Sequence, residues 1–356
     1  MDALYAGSGI GLEMREEFIS FYNSAAEITL FGTFTSPVSE GPFPAVILIA
    51  GAGQSCRDAA IFDHKPFQVL AKYLTGRGIS VLRFDKRGCG ESTGNFNMAT
   101  TADFADDVLS GVKFLKSRKE VNPKQIGLIG HSEGGIIAPM VAAKSQDIAF
   151  IVLMAGCGVS GEEFMYGWSE SVERAKGASK ETLEKNYQHK KMLFDVLKKE
   201  QDFDIAAKKL REMIIKYSHP KQKLTSSKSD AVDAEISYLN TPWFRYFLSY
   251  DPAITLKQVK IPVLALNGEL DQQVFSKQNL STIGRALEEG KNKDYKMIEL
   301  PKLNHLFQTC HDGSFGEYAK IKETIAPHAL NLIAEWILER TTRKSEGLHI
   351  NEIDYP

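Results

Sequence analysis

The stretch Gly130-His131-Ser132-Glu133-Gly134 follows the pattern G-x-S-x-G, which forms the sharp turn that carries the serine in one class of enzymes. A short apolar segment at 125–129 precedes it, and an apolar segment of helical character at 135–144 follows it. In that setting of strand, tight turn and helix, the serine hydroxyl projects beyond the end of a sheet. Glycines suit such a turn because its backbone passes close to neighbouring chain. The setting, more than the pattern itself, makes Ser132 a candidate nucleophile.

The composition is that of an ordinary soluble globular protein. The chain has 356 residues, of which 43% are hydrophobic and 25% charged, enough for one large α/β domain with an insertion or for two domains. The formal net charge of -2 gives no reason to expect nucleic acid or an anionic membrane as a partner. No apolar run reaches the roughly 18–20 residues of a membrane-spanning helix. We therefore expect a monomer or small homo-oligomer whose partner is a small molecule.

The start of the chain and its cysteines indicate the compartment. No basic patch followed by an apolar core stands at the N-terminus, so we predict no signal peptide and a cytoplasmic location by default. Export followed by removal of a signal is the alternative. The four cysteines, Cys56, Cys89, Cys157 and Cys310, form no C-x-x-C pair and no Cys/His spacing that suits zinc. We expect free thiols, and we predict no metal site and no cofactor.

Strand-like and helix-like segments alternate over residues 44–156. Their order predicts an α/β fold with a mostly parallel central sheet and helices on both faces. Two earlier segments, 17–22 and 27–35, indicate an antiparallel pair at the sheet edge. Thr100 with Asp103 predicts a capping box at the start of one helix. The predicted strands of the alternating region are 45–50, 79–84, 125–129 and 148–155, and its predicted helices are 66–73, 103–117 and 135–144.

The alternation stops after Gly158 and resumes near residue 251. The stretch between is rich in Lys and Glu, has helical apolar spacing at 180–200 and 204–217, and offers no strand candidate. Beyond it, strands are predicted at 263–267 and 295–300, and helices at 277–288 and 325–340. We therefore predict four parts: a first core part over 1–159, a helical cap insertion over 160–250, a second core part over 251–343 and a C-terminal tail over 344–356.

A nucleophilic serine needs a general base, and the base needs a carboxylate that orients it. Where the serine lies on this type of turn, the chain order is serine, acid, histidine, and the last two each follow a strand. Asp271 follows the first strand of the second core part and His305 follows the second, which completes a candidate triad with Ser132. Glu269, in the same loop as Asp271, is the alternative acid. His311 is the alternative base.

The negative charge that develops on a substrate oxygen needs two backbone N–H donors. We assign the first to Glu133, directly after the candidate nucleophile. The second should come from the small-residue loop 50–54, which follows the first buried strand and lets backbone approach the substrate. We choose Ala52 as that donor, with Gly53 and Gln54 as alternatives.

Aromatic residues of the predicted cap are candidates for the wall of a substrate pocket. We assign Trp168, Trp243 and Phe244 to this pocket, together with Gln54 from the loop below. The alternative for each aromatic residue is a place in the core of the cap. An apolar, aromatic pocket favours an acyl or aryl ester over a highly charged substrate.

Five groups of residues together resemble one known family. With them the chain resembles the α/β-hydrolase superfamily and, within it, bacterial carboxylesterases of the EstD type. The resemblance implies Ser132 as nucleophile, Asp271 as acid, His305 as base and a helical cap between the two halves of the sheet. The groups are Gly51-Ala52-Gly53 with Arg57-Asp58, Asp85-Lys86-Arg87-Gly88, Gly130-His131-Ser132-Glu133-Gly134-Gly135, Pro242-Trp243-Phe244, and Asn267-Gly268-Glu269-Leu270-Asp271-Gln272-Gln273-Val274.

Two loops need separate comment. Many members of the superfamily have His-Gly at the oxyanion loop, where this chain has Ala50-Gly51, so the resemblance does not fix the second donor. The glycine-containing loop 85–92 lacks the G-K-[ST] ending of a phosphate-binding loop. We predict that it is a structural turn at the rim of the site.

The sequence therefore predicts a serine esterase that cleaves short-acyl or aryl esters through an acyl-enzyme intermediate. An acyl-CoA thioesterase and a serine aminopeptidase are alternatives with the same triad, because the fold does not decide the substrate. A catalytically silent ligand receptor on the same fold is the alternative from another class. That receptor would leave Ser132 unlabelled by a fluorophosphonate. The natural substrate and its acyl length stay open.

Overall fold

A computed structural model describes residues 12–218 and 225–342. The predicted tail at 344–356 lies outside these residues, and so do residues 1–11 of the first predicted core part and residue 343 of the second. Within the described ranges, no helix combines the length and the apolar character that a membrane span needs.

One sheet of eight strands forms over the described residues, in the order β1-β2-β4-β3-β5-β6-β7-β8. β1 pairs with β2, and β2 with β4, in antiparallel fashion, and every pair from β4 to β8 is parallel. The predicted fold class, a mostly parallel sheet with an antiparallel edge, is confirmed. The strands are β1 Met14–Asn23, β2 Ile28–Pro37, β3 Phe43–Ile49, β4 Ser80–Phe84, β5 Val121–His131, β6 Phe150–Met154, β7 Val263–Gly268 and β8 Tyr295–Leu300.

Helices cover both faces of this sheet. α2, α3 and α10 pack on one face, and α1 and α11 on the other. Along β3, Ala45 and Ile47 face the first layer, whereas Val46 and Leu48 face the second. A strand buried on both faces shows a continuous apolar run, which is the pattern its sequence has. The helices are α1 Pro66–Thr75, α2 Thr101–Ser117, α3 Gly134–Lys144, α4 Gly161–Ala175, α5 Lys180–Lys199, α6 Phe203–Ser218, α7 Ser226–Leu239, α8 Pro242–Ser249, α9 Pro252–Leu256, α10 Ser276–Glu289 and α11 Pro327–Thr342.

The helices α4 to α8 occupy the described residues of the stretch that the sequence predicts as an insertion. Two of them, α5 and α6, coincide with the predicted helices at 180–200 and 204–217. α8 begins where Thr241 caps its first turn, since Thr241 Oγ1 accepts a hydrogen bond from Phe244 N at 3.1 Å and Pro242 occupies the first position. The apolar side chains of these helices join the core cluster on the α2 and α3 face. The segment is therefore packed onto the sheet domain.

A buried ion pair joins the loop after β4 to α2. Arg87 Nε donates to Asp107 Oδ2 at 2.7 Å, and Arg87 Nη2 donates to Asp107 Oδ1 at 2.8 Å. Asn23 Nδ2 also donates to Asp107 Oδ1, at 2.7 Å. Asp107 is 2% exposed. Nearby, the predicted capping box of Thr100 and Asp103 is present, which fixes the first turn of α2.

We expect Asp107→Ala to lower the free energy of unfolding by about 3–5 kcal/mol, because it removes the carboxylate that bonds both Nε and Nη2 of the buried Arg87 guanidinium and leaves only the longer ionic contact with Asp103 Oδ1 at 3.5 Å. Denaturant unfolding followed by circular dichroism measures the change. Asp147→Ala is the matched control, since it removes an exposed ion pair with Lys116 at 2.6 Å and should cost less than about 1 kcal/mol. Equal losses in the two variants would contradict the prediction.

Candidate active site

Ser132 lies in a strained turn between β5 and α3. Its φ is 56°, in the left-handed region that side-chain-bearing residues rarely adopt. A Cβ on Gly130 would collide with the carbonyl of Gly134, and one on Gly134 would collide with the carbonyl of Ile49. The N–H of Ser132 donates to Met154 O at 2.9 Å, which ties the turn to β6. Such a turn holds the partly exposed serine side chain at the carboxyl end of the strand.

Asp271 and His305 form a buried acid–base pair. His305 Nδ1 lies 2.7 Å from Asp271 Oδ2, and each residue is 4% exposed. Asp271 Oδ1 accepts hydrogen bonds from the N–H groups of Gln273 at 2.8 Å and Val274 at 2.9 Å. The carboxylate is therefore held in one orientation. Because Nδ1 donates to it, the lone pair of the neutral imidazole lies on Nε2, where it can accept a proton.

The alternative acid and base lie outside this pair. Glu269 is exposed, and its Oε2 accepts a hydrogen bond from Lys302 N at 3.0 Å. His311 is also exposed, and its backbone N–H donates to Glu317 Oε1 at 3.2 Å. The contact in the structure is thus between His305 and Asp271, and neither Glu269 nor His311 takes part in it.

Among the described residues, the hydroxyl of Ser132 makes no hydrogen bond within 3.5 Å, so the structure does not join it directly to His305. Bonds between a nucleophile and its base are often long before substrate binds. The structure links the two segments through His131, the residue before Ser132. His131 is the last residue of β5, and its Nε2 lies 2.9 Å from the backbone carbonyl of His305.

The ring of His131 supports the backbone and the ring of His305. The two ring centroids are 4.7 Å apart. The contact of His131 Nε2 with a carbonyl requires the proton on Nε2 and leaves Nδ1 bare. Burial, and then the charge of His305, lower the pKa of His131 to about 4. The ring is therefore neutral at pH 7.

The two predicted oxyanion donors have free N–H groups. Within the described ranges, neither the backbone N–H of Glu133 nor that of Ala52 donates a hydrogen bond, and the same holds for the alternatives Gly53 and Gln54, so this observation does not choose among the three residues of the loop. Glu133 stands at the N-terminus of α3, where unpaired N–H groups favour negative charge. The loop 50–54, which we call the oxyanion loop, runs beside Ser132. A Cβ on Gly51 would lie 3.0 Å from Ser132 Cβ and 3.5 Å from its Oγ.

The predicted pocket residues have different surroundings. Gln54 is exposed, and its Nε2 donates to Gly88 O at 3.1 Å. Trp168, on α4, is 38% exposed. Phe244 is completely buried on α8, with its ring centroid 6.0 Å from that of Phe194 on α5. Phe244 therefore belongs to the core of the helical segment and does not line an open pocket, which corrects its assignment.

Trp243, next to Phe244, contacts the turn that carries Ser132. Its Nε1 donates to Glu133 Oε1 at 2.6 Å, and its ring stacks on that of Phe247, with centroids 5.4 Å apart. The side chain is half-buried. The helix α8 is thus bonded directly to the residue that follows Ser132.

Lys86 is a site residue that the sequence reasoning missed. The loop 85–92 is predicted as a structural turn, yet Lys86 is 5% exposed. Its Nζ donates to Gly51 O at 2.6 Å and to Glu133 Oε2 at 3.3 Å. Buried lysines are rare unless they are paired. The available signal was its position two residues after the end of the buried strand β4, at the sheet end where functional groups collect.

Residues 45–229, more than half of the chain, match the family model described as serine aminopeptidase, S33. The chain belongs to this family of α/β-hydrolases. Esterase EstD of Thermotoga maritima is 27% identical over 311 residues, which make up 86% of this chain. They make up 65% of that esterase, so the chain spans less than two thirds of this relative's length. The resemblance to EstD-like α/β-hydrolases is confirmed.

Solved structures show the same fold. The α/β-hydrolase GrgF from Penicillium sp. sh18 superposes with a TM-score of 0.57 at 17% identity, covering 92% of this chain and 99% of its own. A Pyrococcus furiosus esterase superposes with a TM-score of 0.56 at 16% identity, covering 92% of this chain and 91% of its own. At these identities the likeness concerns the fold.

In this α/β-hydrolase one group of described side chains could surround a metal ion. It comprises His311, Asp312 and Glu317, whose ligand atoms lie within 4.8 Å of one another. His311 and Asp312 are exposed and Glu317 is half-buried, and the carboxylate of Glu317 already accepts hydrogen bonds from the backbone of the same loop, at 3.0 Å from Asp312 N and 2.9 Å from Gly313 N. These hydrogen bonds give the Glu317 carboxylate a structural role in closing the loop.

The low pKa of His131 predicts a pH dependence of stability. Below pH 6.5 the unfolded chain takes up a proton at this ring, whereas the folded protein accepts it only near pH 4. The free energy of unfolding should therefore fall as the pH drops from 6.5 towards 4, by on the order of 1–2 kcal/mol at pH 5. Above pH 6.5 the ring adds no pH dependence.

His131→Gln tests this, because glutamine retains a donor towards His305 O and does not titrate. Chemical unfolding at pH 7.5 and pH 5 should show a smaller loss on acidification in the variant than in the wild type. His305 and Asp271 are present in both proteins and act as an internal reference. Parallel pH profiles would contradict the assignment.

Proposed function

We propose that this α/β-hydrolase cleaves carboxylic esters through an acyl-enzyme intermediate on Ser132. The observation that carries the proposal is the buried Asp271–His305 pair, with a bare Nε2, at the sheet end that also holds Ser132 in its strained turn. Nε2 takes the serine proton as Oγ attacks the ester carbonyl. Asp271 keeps the imidazole in this tautomer and stabilises the imidazolium that forms.

The remaining steps follow from the same groups. The tetrahedral oxyanion accepts hydrogen bonds from the N–H groups of Glu133 and Ala52. On its collapse the C–O bond breaks, and His305 gives the proton to the departing alcohol. A water molecule then loses a proton to His305 and attacks the acyl carbon, which releases the carboxylic acid and restores the Ser132 hydroxyl.

We propose short-acyl or aryl esters as substrates, bound under a cap formed by residues 160–250, between core parts 1–159 and 251–343. Trp243 supports this, because it brings an aromatic ring of α8 to the residue after the nucleophile. Lys86 and Glu133, the residue directly after Ser132, lie 3.3 Å apart and compensate each other's charge, so they do not attract a charged substrate. The esterase names of the relatives agree with this class.

A serine aminopeptidase is the second candidate, since the matching family carries that description. Such an enzyme uses a carboxylate to bind the free amine of its substrate. Glu133 is the carboxylate adjacent to the nucleophile, but Lys86, Thr101 and Trp243 all donate to it. The esterase is therefore the function that the described geometry supports better.

Ser132→Ala should lower kcat on 4-nitrophenyl acetate by roughly 10⁴–10⁶-fold, because it removes the nucleophile. It should also abolish the mass increase that a fluorophosphonate probe produces in the wild type. Cys56→Ser is the matched control for an exposed thiol on the neighbouring loop and should retain activity. A fully active Ser132→Ala would overturn the proposal, and an unlabelled, inactive wild type would favour the receptor alternative.

The substrate class is tested on the same preparations with 4-nitrophenyl esters of increasing acyl length, acyl-CoA thioesters and aminoacyl-arylamides. We expect the highest kcat/KM on the short-acyl esters. A higher value on the aminoacyl-arylamides would replace the esterase by the peptidase.

Asp271→Asn should lower kcat by about 10⁴-fold, because an amide can donate to Nδ1 and thereby favours the wrong tautomer of His305. Glu269→Gln, in the same loop, is the matched control and should change kcat less than about twofold, since Glu269 bonds only to the Lys302 backbone. Steady-state kinetics on one aryl ester measures both. The reverse order of effects would make Glu269 the acid.

A further inference from the structure

The ammonium group of Lys86 lies between the two chain segments that carry the proposed oxyanion donors. Nζ is 2.6 Å from Gly51 O and 3.4 Å from Gly53 O in the oxyanion loop. It is 3.3 Å from Glu133 Oε2 in the nucleophile turn. The lysine side chain is 5% exposed, so water has little access to its ammonium group.

The contact with Gly51 O bears on the N–H of Ala52, because both belong to one peptide unit. In a trans peptide the C=O and the N–H point in opposite directions. Among the described residues the only cis bond is Gly41-Pro42, so this unit is trans. An ammonium that holds the oxygen on one side therefore fixes the N–H on the other. Without this contact, the glycine-flanked loop would be free to turn the unit.

Glu133 provides the countercharge that a buried ammonium needs. Its other oxygen, Oε1, accepts hydrogen bonds from Thr101 Oγ1 at 2.8 Å and Trp243 Nε1 at 2.6 Å. The carboxylate is 2% exposed and is fixed from both sides. Its backbone N–H is the first proposed donor, so the same residue holds the lysine and carries half of the oxyanion hole. The ring of Phe104, 4.5 Å from Nζ, completes the lysine's surroundings.

We propose that Lys86 is a positioning residue of the oxyanion hole, which sets the direction of the Ala52 N–H relative to that of Glu133. The inference rests on the proposed function and favours Ala52 over Gln54 as the second donor, because Lys86 Nζ lies closer to Gly51 O, at 2.6 Å, than to Gly53 O, at 3.4 Å. Lys86 touches no reacting atom. Its loss affects the state in which the oxyanion exists and leaves the binding of the uncharged ester unchanged.

The test compares Lys86→Met with the wild type on a short-acyl aryl ester and with an aryl trifluoromethyl ketone. The ketone adds to the serine to give a tetrahedral oxyanion, so its inhibition constant reports on the oxyanion hole. We expect kcat to fall roughly 10- to 100-fold, less than the loss of a whole donor. KM should stay within about twofold, and the inhibition constant should rise by the same factor as kcat falls. Titration with a fluorophosphonate counts the active sites.

Lys116→Met is the matched control, because Lys116 makes an exposed ion pair with Asp147, and it should behave as the wild type. Lys86→Gln retains a neutral donor and should show a smaller loss in the same direction, which serves as the test if Lys86→Met does not fold. A wild-type kcat and inhibition constant in a folded Lys86 variant would overturn the inference and leave the esterase intact. A wild type inactive on every ester would overturn the proposed function, and this inference with it.

Discussion

The left-handed backbone at Ser132 is the constraint on which the rest of the site depends. A φ of 56° in a residue with a side chain is unfavourable and persists only when the surroundings determine it. Here they do so through the bond from Ser132 N to Met154 O and through two glycines that admit carbonyl groups where a Cβ would collide. The parallel sheet provides both, because β5 and β6 end side by side. The serine is therefore placed by the sheet as a whole.

Each buried carboxylate near this turn is paired with a basic side chain. Asp271 lies 2.7 Å from His305, and Glu133 lies 3.3 Å from Lys86. Each carboxylate also accepts hydrogen bonds from further donors, as a buried charge requires. Such pairs add little to stability compared with apolar packing, but they permit few arrangements. Their contribution here is orientation, which is what a triad and an oxyanion hole both need.

The sequence predicted the sheet well because each of its strands follows a local apolar pattern, whereas the triad stays a prediction of which the structure brings Asp271 and His305 together. A strand buried on both faces, such as β3, has an apolar run that few other structures explain. Asp271 and His305 followed from chain order, and contact distances then decided between them and their neighbours Glu269 and His311. Inside the helical insertion, the sequence predicted the bounds of α5 and α6 and gave none for α7. The helix α7 has weak apolar periodicity, so its sequence carries little information on where it lies.

Phe244 and Lys86 show what local patterns leave out. An aromatic residue on an amphipathic helix looks the same whether it faces a pocket or another helix, so Phe244 could not be separated from Trp243 beside it. A lysine in a loop is usually at the surface, and only the tertiary structure reveals that Lys86 is enclosed by Gly51, Glu133 and an aromatic ring. Glu133 is constrained both by its backbone and by its side chain. Its backbone caps the start of α3 directly after Ser132, and its side chain bonds to Lys86 and to the indole of Trp243 on α8, so the turn and the helical segment cannot be arranged independently.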